Sequence, residues 1–433
     1  MRRLGIILTI MIALSMPEVM SQVSLDSCRA WAQRNYPAIR QYELIRQSAD
    51  YSISNAARAW IPKVMLSAQA TYQSDAANMS EVWSSMGLGD VMSAAGREIP
   101  DLYMRKFQGK VQLDIQQTIW DGGKAAADKR SAHTLQRQQE AQSDVDFRIL
   151  DNRILALYFG SLLLEEQTEL LIMTDSVLHE NLKRVKTMFD NNMALPSDVD
   201  AVEVELLSLE QKRQQLDASR NAYVEMLSMM VGKDLSSEKL ALPAERELRL
   251  TADKERPELK LMTAQSENIA SQRKTIMSYS MPQFSAFAQG WYGYPSLNMF
   301  KAMQSGTWGL SAIVGVRMQW NIGAYYTQRN KLNQLDVSQK QIAVQRDVFL
   351  YNQRLDRTRE NAEILRLSQA LASDERIVEL RGNVRRAAEN KYENGTITTS
   401  ELLQKISDES NARSARTMHK IELVKAQYEF ENL

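Results

Sequence analysis

The residue types that carry most protein chemistry are scarce and scattered in this sequence. Its three histidines, His133, His179 and His419, stand alone, and Cys28 is the only cysteine. A metal centre needs several such ligands at short spacings, and a nucleophile needs a base within hydrogen-bond reach. No HExxH, GxSxG or phosphate-binding glycine-rich loop occurs. Asp121-Gly122-Gly123-Lys124 has the look of a nucleotide loop, but a strand-to-helix corner is the simpler account. The reading is of a non-enzyme with no catalytic residues, no metal ligands and no cofactor. What remain are carboxylates beside turns (Asp198, Asp200, Glu203, Glu401) and tryptophans beside strands. The helix dipole favours acidic residues in a first turn, so capping alone accounts for that acidic set. With 53 basic and 53 acidic side chains in 433 residues, the chain offers no net field for nucleic acid.

The elements that would position these residues follow from punctuation. Arg2 and Arg3 precede an apolar run, Leu4 to Leu14, with Val19 and Ser21 at the small positions of a cleavage site. This predicts a secretory signal peptide over 1–21. The run is too short to span a bilayer, and no later segment holds 18 uninterrupted apolar residues. The mature chain is therefore expected to be soluble in the periplasm or to span a membrane as strands. No Pro lies between Pro100 and Pro196 or after Pro295, and Gly160 is the only Gly between Gly123 and Gly232. Such breaker-free stretches predict very long helices.

The chain is also written twice. Pro37 and Pro62 recur as Pro257 and Pro282 at an offset of 220, and Phe189-Asp190-Asn191-Asn192 recurs as Tyr392-Glu393-Asn394-Gly395 at 203. The first repeat is expected over 22–230, with strands about 60–73 and 107–119, a long helix about 124–190 and a return helix about 197–230. A link follows over 231–256. The second repeat occupies 257–433, with strands about 281–294 and 307–321, a long helix about 324–392 and a return helix about 399–431.

The strands alternate with period two. Val64, Leu66, Ala68, Ala70 and Tyr72 share one face, as do Val111, Leu113, Ile115 and Ile119. In the second repeat Phe284, Ala286, Ala288 and Tyr292 form one set, and Leu310, Ala312, Val314, Val316 and Met318 the other. About ten residues of alternating character is the length of a membrane-spanning strand. Trp60, Trp120, Trp291, Trp308 and Trp320 near the strand ends suit an interfacial belt. Four strands cannot close a barrel, and an open edge in lipid leaves amides unpaired, so copies must share one barrel. In the long helix Leu150, Leu157, Leu164, Leu171, Leu178 and Val185 recur every seven residues, a coiled-coil seam. Leu350, Ile364, Leu371, Val378 and Tyr392 fit the same register in the second.

Taken together these features resemble the TolC family of outer-membrane efflux proteins, over essentially the whole mature chain. The resemblance is carried by Leu25 to Pro37, the spaced prolines, Ile119-Trp120-Asp121-Gly122-Gly123, the turns Phe189 to Val199 and Tyr392 to Leu403, and the link through Leu227 to Gly232, Leu240 and Pro243. It implies a mainly α fold with a transmembrane β-barrel contribution: a homotrimer whose twelve strands form one outer-membrane barrel, continued by twelve helices as a periplasmic coiled-coil tunnel. It implies passive conduction as the exit duct of a tripartite efflux pump or type I secretion system. The partners would be a periplasmic adaptor, an inner-membrane pump and outer-membrane lipid. Carried over by position, a gate at the helix tips would involve Ser197, Asp198, Tyr392, Gly395 and Ile397. An acidic entrance ring falls on Glu401, with Gln404 in place of a second layer. Adaptor contact would fall on Asn192, Leu195, Pro196, Gly395 and Thr396. Ile397 replaces an Arg of the best-known member, so the inter-subunit Arg–carboxylate link is not expected. The long loop 74–106 would face the exterior. A periplasmic coiled-coil adaptor or scaffold would share the leader and the heptads, but would not need four barrel-like strands with aromatic ends.

Overall fold

The structure is a computed structural model that describes residues 22–97, 102–246 and 256–433. The leader expected over 1–21 lies outside the described residues, as do 98–101 of the long loop and 247–255 of the link. The first repeat runs through helices α1 (Leu25–Asn35) and α2 (Ile39–Ala57), strand β1 (Lys63–Tyr72), short helices α3 (Met79–Ser85) and α4 (Leu88–Ala94), strand β2 (Phe107–Trp120), and helices α5 (Lys124–Asp190) and α6 (Pro196–Val231). The second runs through α7 (Pro257–Ser278), β3 (Gln283–Tyr294), α8 (Met299–Ser305), β4 (Gly309–Gln319), α9 (Ala324–Glu393) and α10 (Thr399–Glu431). At 1.5 Å per residue, the 67 residues of α5 span roughly 100 Å. None of the described helices is long and apolar enough to cross a membrane.

Contacts divide the chain into two units. The first comprises 1–44, 140–261 and 344–433. Its largest core surrounds Tyr158 and Phe159, both almost fully buried, with Leu150, Ile154, Leu162, Val224, Leu227 and Val424. The heptad seam is buried in part: Leu150, Leu171, Leu178 and Val185 are buried, as are Ile364, Val378 and Tyr392, while Leu157, Leu164, Leu350 and Leu371 are half-buried and the widest burial lies off the seam around Tyr158 and Phe159. Gly160 is required by packing, because a Cβ there would collide with the Tyr223 ring. Val23 and Leu240 form an isolated parallel bridge, with Val23 N donating to Lys239 O at 2.9 Å and Ala241 N to Val23 O at 3.0 Å. Cys28 is fully buried in this core. Burial pushes its thiol up to about 11, against a smaller opposing pull from Lys233. At pH 8 only about one thiol in a thousand is then ionised, and the thiolate is the reactive form. Iodoacetamide is therefore expected to leave the folded protein unlabelled and to modify Cys28 only in denaturant; stoichiometric labelling of the folded chain would contradict this burial.

The second unit comprises 45–139 and 262–343. Its sheet has the order β1-β2-β3-β4, all neighbours antiparallel. Register sorts the side chains as the period-two pattern requires. Val64 pairs with Ile115, Ile115 with Ala288, and Ala288 with Val314, so one face of all four strands is apolar. Two features differ from expectation. First, the strand-to-helix corners align at an offset of 200, Trp120 with Trp320 and Gly123 with Gly323, because β2 runs past the end of β1 and pairs with β3 through a bulge between Thr118 and Trp120. Ile119 falls in that bulge and so leaves the alternating face. The 70 residues of α9 restore the offset of 203 at the helix tips, concealing the shift from residue counting. Second, the long loop is structured: α3 and α8 help gather Leu102, Met104, Tyr294, Ala302 and Met303 into a small core, and Arg105 N donates to the Tyr294 hydroxyl at 3.0 Å.

Candidate functional site

Two regions carry the residues singled out by sequence. At the helix turns the two repeats use the same hydrogen bonds. Asn192 adopts a left-handed conformation (φ 59°), donating to Phe189 O at 2.9 Å, while Met193 N donates to Met188 O at 2.8 Å. Gly395 (φ 68°) donates to Tyr392 O at 2.9 Å, and Thr396 N to Lys391 O at 3.0 Å. These are left-handed helix ends, and Asn and Gly are the residues that tolerate them. Each following helix then opens with the same cap. Asp198 Oδ2 accepts from Leu195 N at 2.9 Å, and Glu401 Oε2 from Thr398 N at 3.2 Å. Both carboxylates are thus caps in this chain, and Pro196 takes the first helical position, where no amide donor is needed.

Between the turns lies a core of Leu178, Val185, Val202, Ala388, Tyr392, Leu402 and Ile406, with Ile397 partly buried against it. Tyr392 is buried, and its hydroxyl lies 3.1 Å from Thr399 Oγ1. Ser197, Glu401 and Gln404 are exposed, and Gln404 Nε2 donates to Asp408 Oδ1 at 3.0 Å. Ile397 makes an apolar contact within the chain at this turn. Ion pairs nearby join the helices: Lys186–Glu203 at 2.9 Å, Arg184–Glu393 at 3.4 Å and Arg381–Asp408 at 2.7 Å.

Sequence reasoning missed the most enclosed charge cluster. Glu409 is 4% exposed and is held by Arg385 and by Arg413, the latter at 2.7 Å. Burial alone would raise the Glu409 carboxyl, but hydrogen bonds from Arg413 and Arg385 outweigh it and hold the group below the ordinary carboxylate range. Arg385 lies ten residues before the turn at Gly395 and Glu409 fourteen after it, unequal distances that counting outward from the turn does not pair. Because the folded value is depressed, the stabilisation is present above the unfolded value near 4.5 and is lost as pH falls through the folded one. Glu409→Gln is expected to cost about 2 kcal/mol at neutral pH, discounted because Arg413 is half exposed. The gap between wild type and variant should close below pH 4.5; urea midpoints at pH 7 and pH 3 that differ by the same amount would sink the assignment.

On the sheet, four of the five expected belt tryptophans lie at strand ends. Trp60, Trp120 and Trp320 sit at the end nearest the corners, with Trp120 packed 6.0 Å from Phe284 and Trp320 Nε1 donating to Ser280 O at 3.0 Å. Trp308 lies at the other end, 5.8 Å from Tyr292 and against Gly109. Trp291 departs from the set: it pairs with Gln112 and Ser311 and so lies on the polar face. Its parity in β3 carried that signal. Among the described residues no three His, Cys, Asp or Glu side chains gather as a metal site would require.

A duplicated chain of two very long helices with return helices, carrying a four-stranded sheet with one apolar face, defines the fold class of outer-membrane channel proteins. Solved structures of that class match over nearly the whole chain. The outer membrane protein VceC of Vibrio cholerae matches with a TM-score of 0.69 and 15% identity, over 94% of this chain and 95% of that one. The CmeC outer membrane channel of Campylobacter jejuni matches with 0.67 and 12%, over 93% and 83%. The MtrE outer membrane channel of Neisseria gonorrhoeae, solved in its open state, matches with 0.64 and 13%, over 94% and 88%. No family model and no curated protein matches the sequence. The likeness is one of fold, and it matches the mainly helical chain with a four-stranded sheet that the resemblance to the TolC family implied for one copy.

Proposed function

We propose that the protein is the outer-membrane exit duct of a tripartite efflux pump or type I secretion system, conducting cargo passively from periplasm to exterior. The observation that carries this is the sheet: one face of four strands is apolar and free of charge, and β1 and β4 are its open edges. In lipid, each unpaired edge amide would cost several kcal/mol, so the edges must meet other copies. Three copies give a homotrimer with a twelve-stranded barrel, an even number within the range of such barrels. The apolar face then meets outer-membrane lipid, with its aromatic ends at the interfaces. The long helices continue as a periplasmic tunnel of twelve, and the tips at Asn192 and Gly395 receive a periplasmic adaptor that bridges to an inner-membrane pump. Ser197, Asp198, Tyr392, Gly395 and Ile397 form the gate there, and Glu401 a single acidic ring beside Gln404. The two repeats, 22–230 and 257–433, are the units of this design, and the leader 1–21 directs export.

A test is cysteine pairing between copies, one residue on β1 and one on β4 of the same chain. Oxidation should yield a linked species ending at the trimer; products ending at the dimer, or no linkage at any pair, would reject the shared barrel. Conductance of the purified protein in a planar bilayer, wild type beside Glu401→Ala, tests the entrance. Stable cation-preferring steps that lose their preference in the variant are expected, and unchanged steps would move the constriction elsewhere.

A further inference from the structure

The zero net charge of the chain conceals a division. Residues 45–139 and 262–343 carry 18 Lys and Arg against 11 Asp and Glu, while the remainder carries 35 against 42. In the sheet the division is sharper, because register assigns every strand residue a face. The face of Val64, Leu113, Ala288 and Val314 has no charged residue. The opposite face carries three bases, Lys63, Lys110 and Arg317, and one acid, Asp114, among Gln, Ser and Thr and the apolar Met65, Phe287, Trp291 and Ile313. The acid is engaged: Asp114 accepts from Gln112 at 2.7 Å and from Gln289 at 2.6 Å. Lys110 Nζ donates to Gln112 Oε1 at 2.8 Å, and Arg317 lies 4.8 Å over the Phe287 ring. The bases occupy two levels. Lys63 and Arg317 lie toward the corner end of the strands, Lys110 toward the loop end, and Asp114 between them. Bases serving lipid headgroups would lie on the apolar side at the strand ends; these share the water-facing side.

We propose that this polar face is an anion-favouring lining, with Lys110 and Arg317 as specificity-determining residues, so that the barrel end of the duct admits organic anions more readily than cations. This deepens the channel reading and rests on it: in a closed trimer the face lines the lumen, and the excess of bases is repeated around it. Walls of one sign enclosing a water-filled passage focus the field to a potential of a few kT. The effect is screened over about 8 Å at physiological salt, so it acts on ions near the wall and weakens as salt rises. It also sets the barrel against the acidic ring proposed at the helix tips, giving the two ends of the duct opposite preferences.

The buried, unreactive Cys28 makes the test clean, since a new cysteine would be the only reactive thiol. Gln69 pairs directly with Lys110 on the polar face, and Ala68 lies on the apolar one. Full-length Gln69→Cys in outer-membrane vesicles should react faster with an anionic than with a cationic methanethiosulfonate, relative to free cysteine. At one kT the two reagents separate by roughly sevenfold. The ratio should fall toward the free-cysteine value on adding Lys110→Gln and Arg317→Gln, and return with Lys110→Arg and Arg317→Lys, which keep the charges. A ratio equal to that of free cysteine, or one unmoved by the neutral pair, overturns the lining. Ala68→Cys in the same vesicles should react with neither reagent. Equal reactivity at 68 and 69 would instead reject the lipid-facing sheet, and with it the channel reading, whatever the ratio at 69.

Discussion

Tyr158→Ala is expected to destabilise the helical unit by about 3–5 kcal/mol, and Tyr158→Phe by about 1–2 kcal/mol. The ring is fully buried, stacked edge-on 6.0 Å from Phe159 in the largest core. Its hydroxyl lies 2.7 Å from Val23 O and 2.6 Å from Ala241 O, so one proton is shared between two carbonyls. Burial raises the hydroxyl well above its ordinary range, so it stays a donor at every working pH. Val23 O keeps a second partner in Ala241 N, whereas the Ala241 carbonyl depends on the tyrosine, which is why the Phe variant should cost about one buried hydrogen bond. The link segment through Leu240 is held by that bond and the Val23 bridge together with buried Leu235 and Leu240 and the Lys239–Glu169 ion pair, so the Phe variant should loosen the segment toward protease at residues 233–246 without freeing it. Loss of helical circular dichroism on heating, read beside limited proteolysis, checks both halves. A Phe variant as stable as wild type would mean that water replaces the hydroxyl.

Much of this architecture was legible because it depends on period and punctuation. The long helices begin and end within a residue or two of where proline and glycine placed them, and four of the six heptad positions from Leu150 to Val185 are buried, Leu157 and Leu164 being half-buried. The face assignments of β1 to β4 followed from alternation alone, and pairing across 170 residues of sequence, Ile115 with Ala288, respects them. What alternation could not supply was the bulge at Ile119, because a bulge is set by which strand outlasts its neighbour. The corner is displaced by three residues, more than the single residue a bulge inserts, while the residue count is unchanged. Trp291 was misplaced for a related reason: nearness to a strand end was weighed above parity, and in a strand parity decides. The core of the long loop was illegible because its apolar residues, Leu102, Met104, Tyr294 and Met303, come from two loops that only the paired strands bring together. At the tips, capping was foreseen for Asp198 and Glu401, whereas the burial of Glu409 between Arg385 and Arg413 depends on how two helices fold back about Gly395.

In the duct proposed above, with its gate at the helix tips, Tyr392→Ala should shift the channel strongly toward the open state. The side chain is 5% exposed and fills the core between the two turns, with its hydroxyl 3.1 Å from Thr399 on the return helix. It therefore ties the end of α9 to the start of α10, and in the proposed gate that hairpin yields when the tips open. Truncation removes about 3–5 kcal/mol of packing at this point. If even 3 kcal/mol of that is lost on opening in the wild type, the open-to-closed ratio rises more than a hundredfold in the variant, since each 1.4 kcal/mol is tenfold. Tyr392→Phe keeps the ring and loses only the hydroxyl contact, so a shift of about fivefold is expected. The graded pair separates a gate from ordinary core: a tip that merely unfolds would respond to Ala and show no ordered intermediate with Phe. Single-channel recording of wild type and both variants reads this directly as open probability. Equal open probabilities in all three would leave Tyr392 a packing residue and place the constriction on the exposed side chains Ser197, Glu401 and Gln404, which the same recording on Glu401→Ala would then have to reveal.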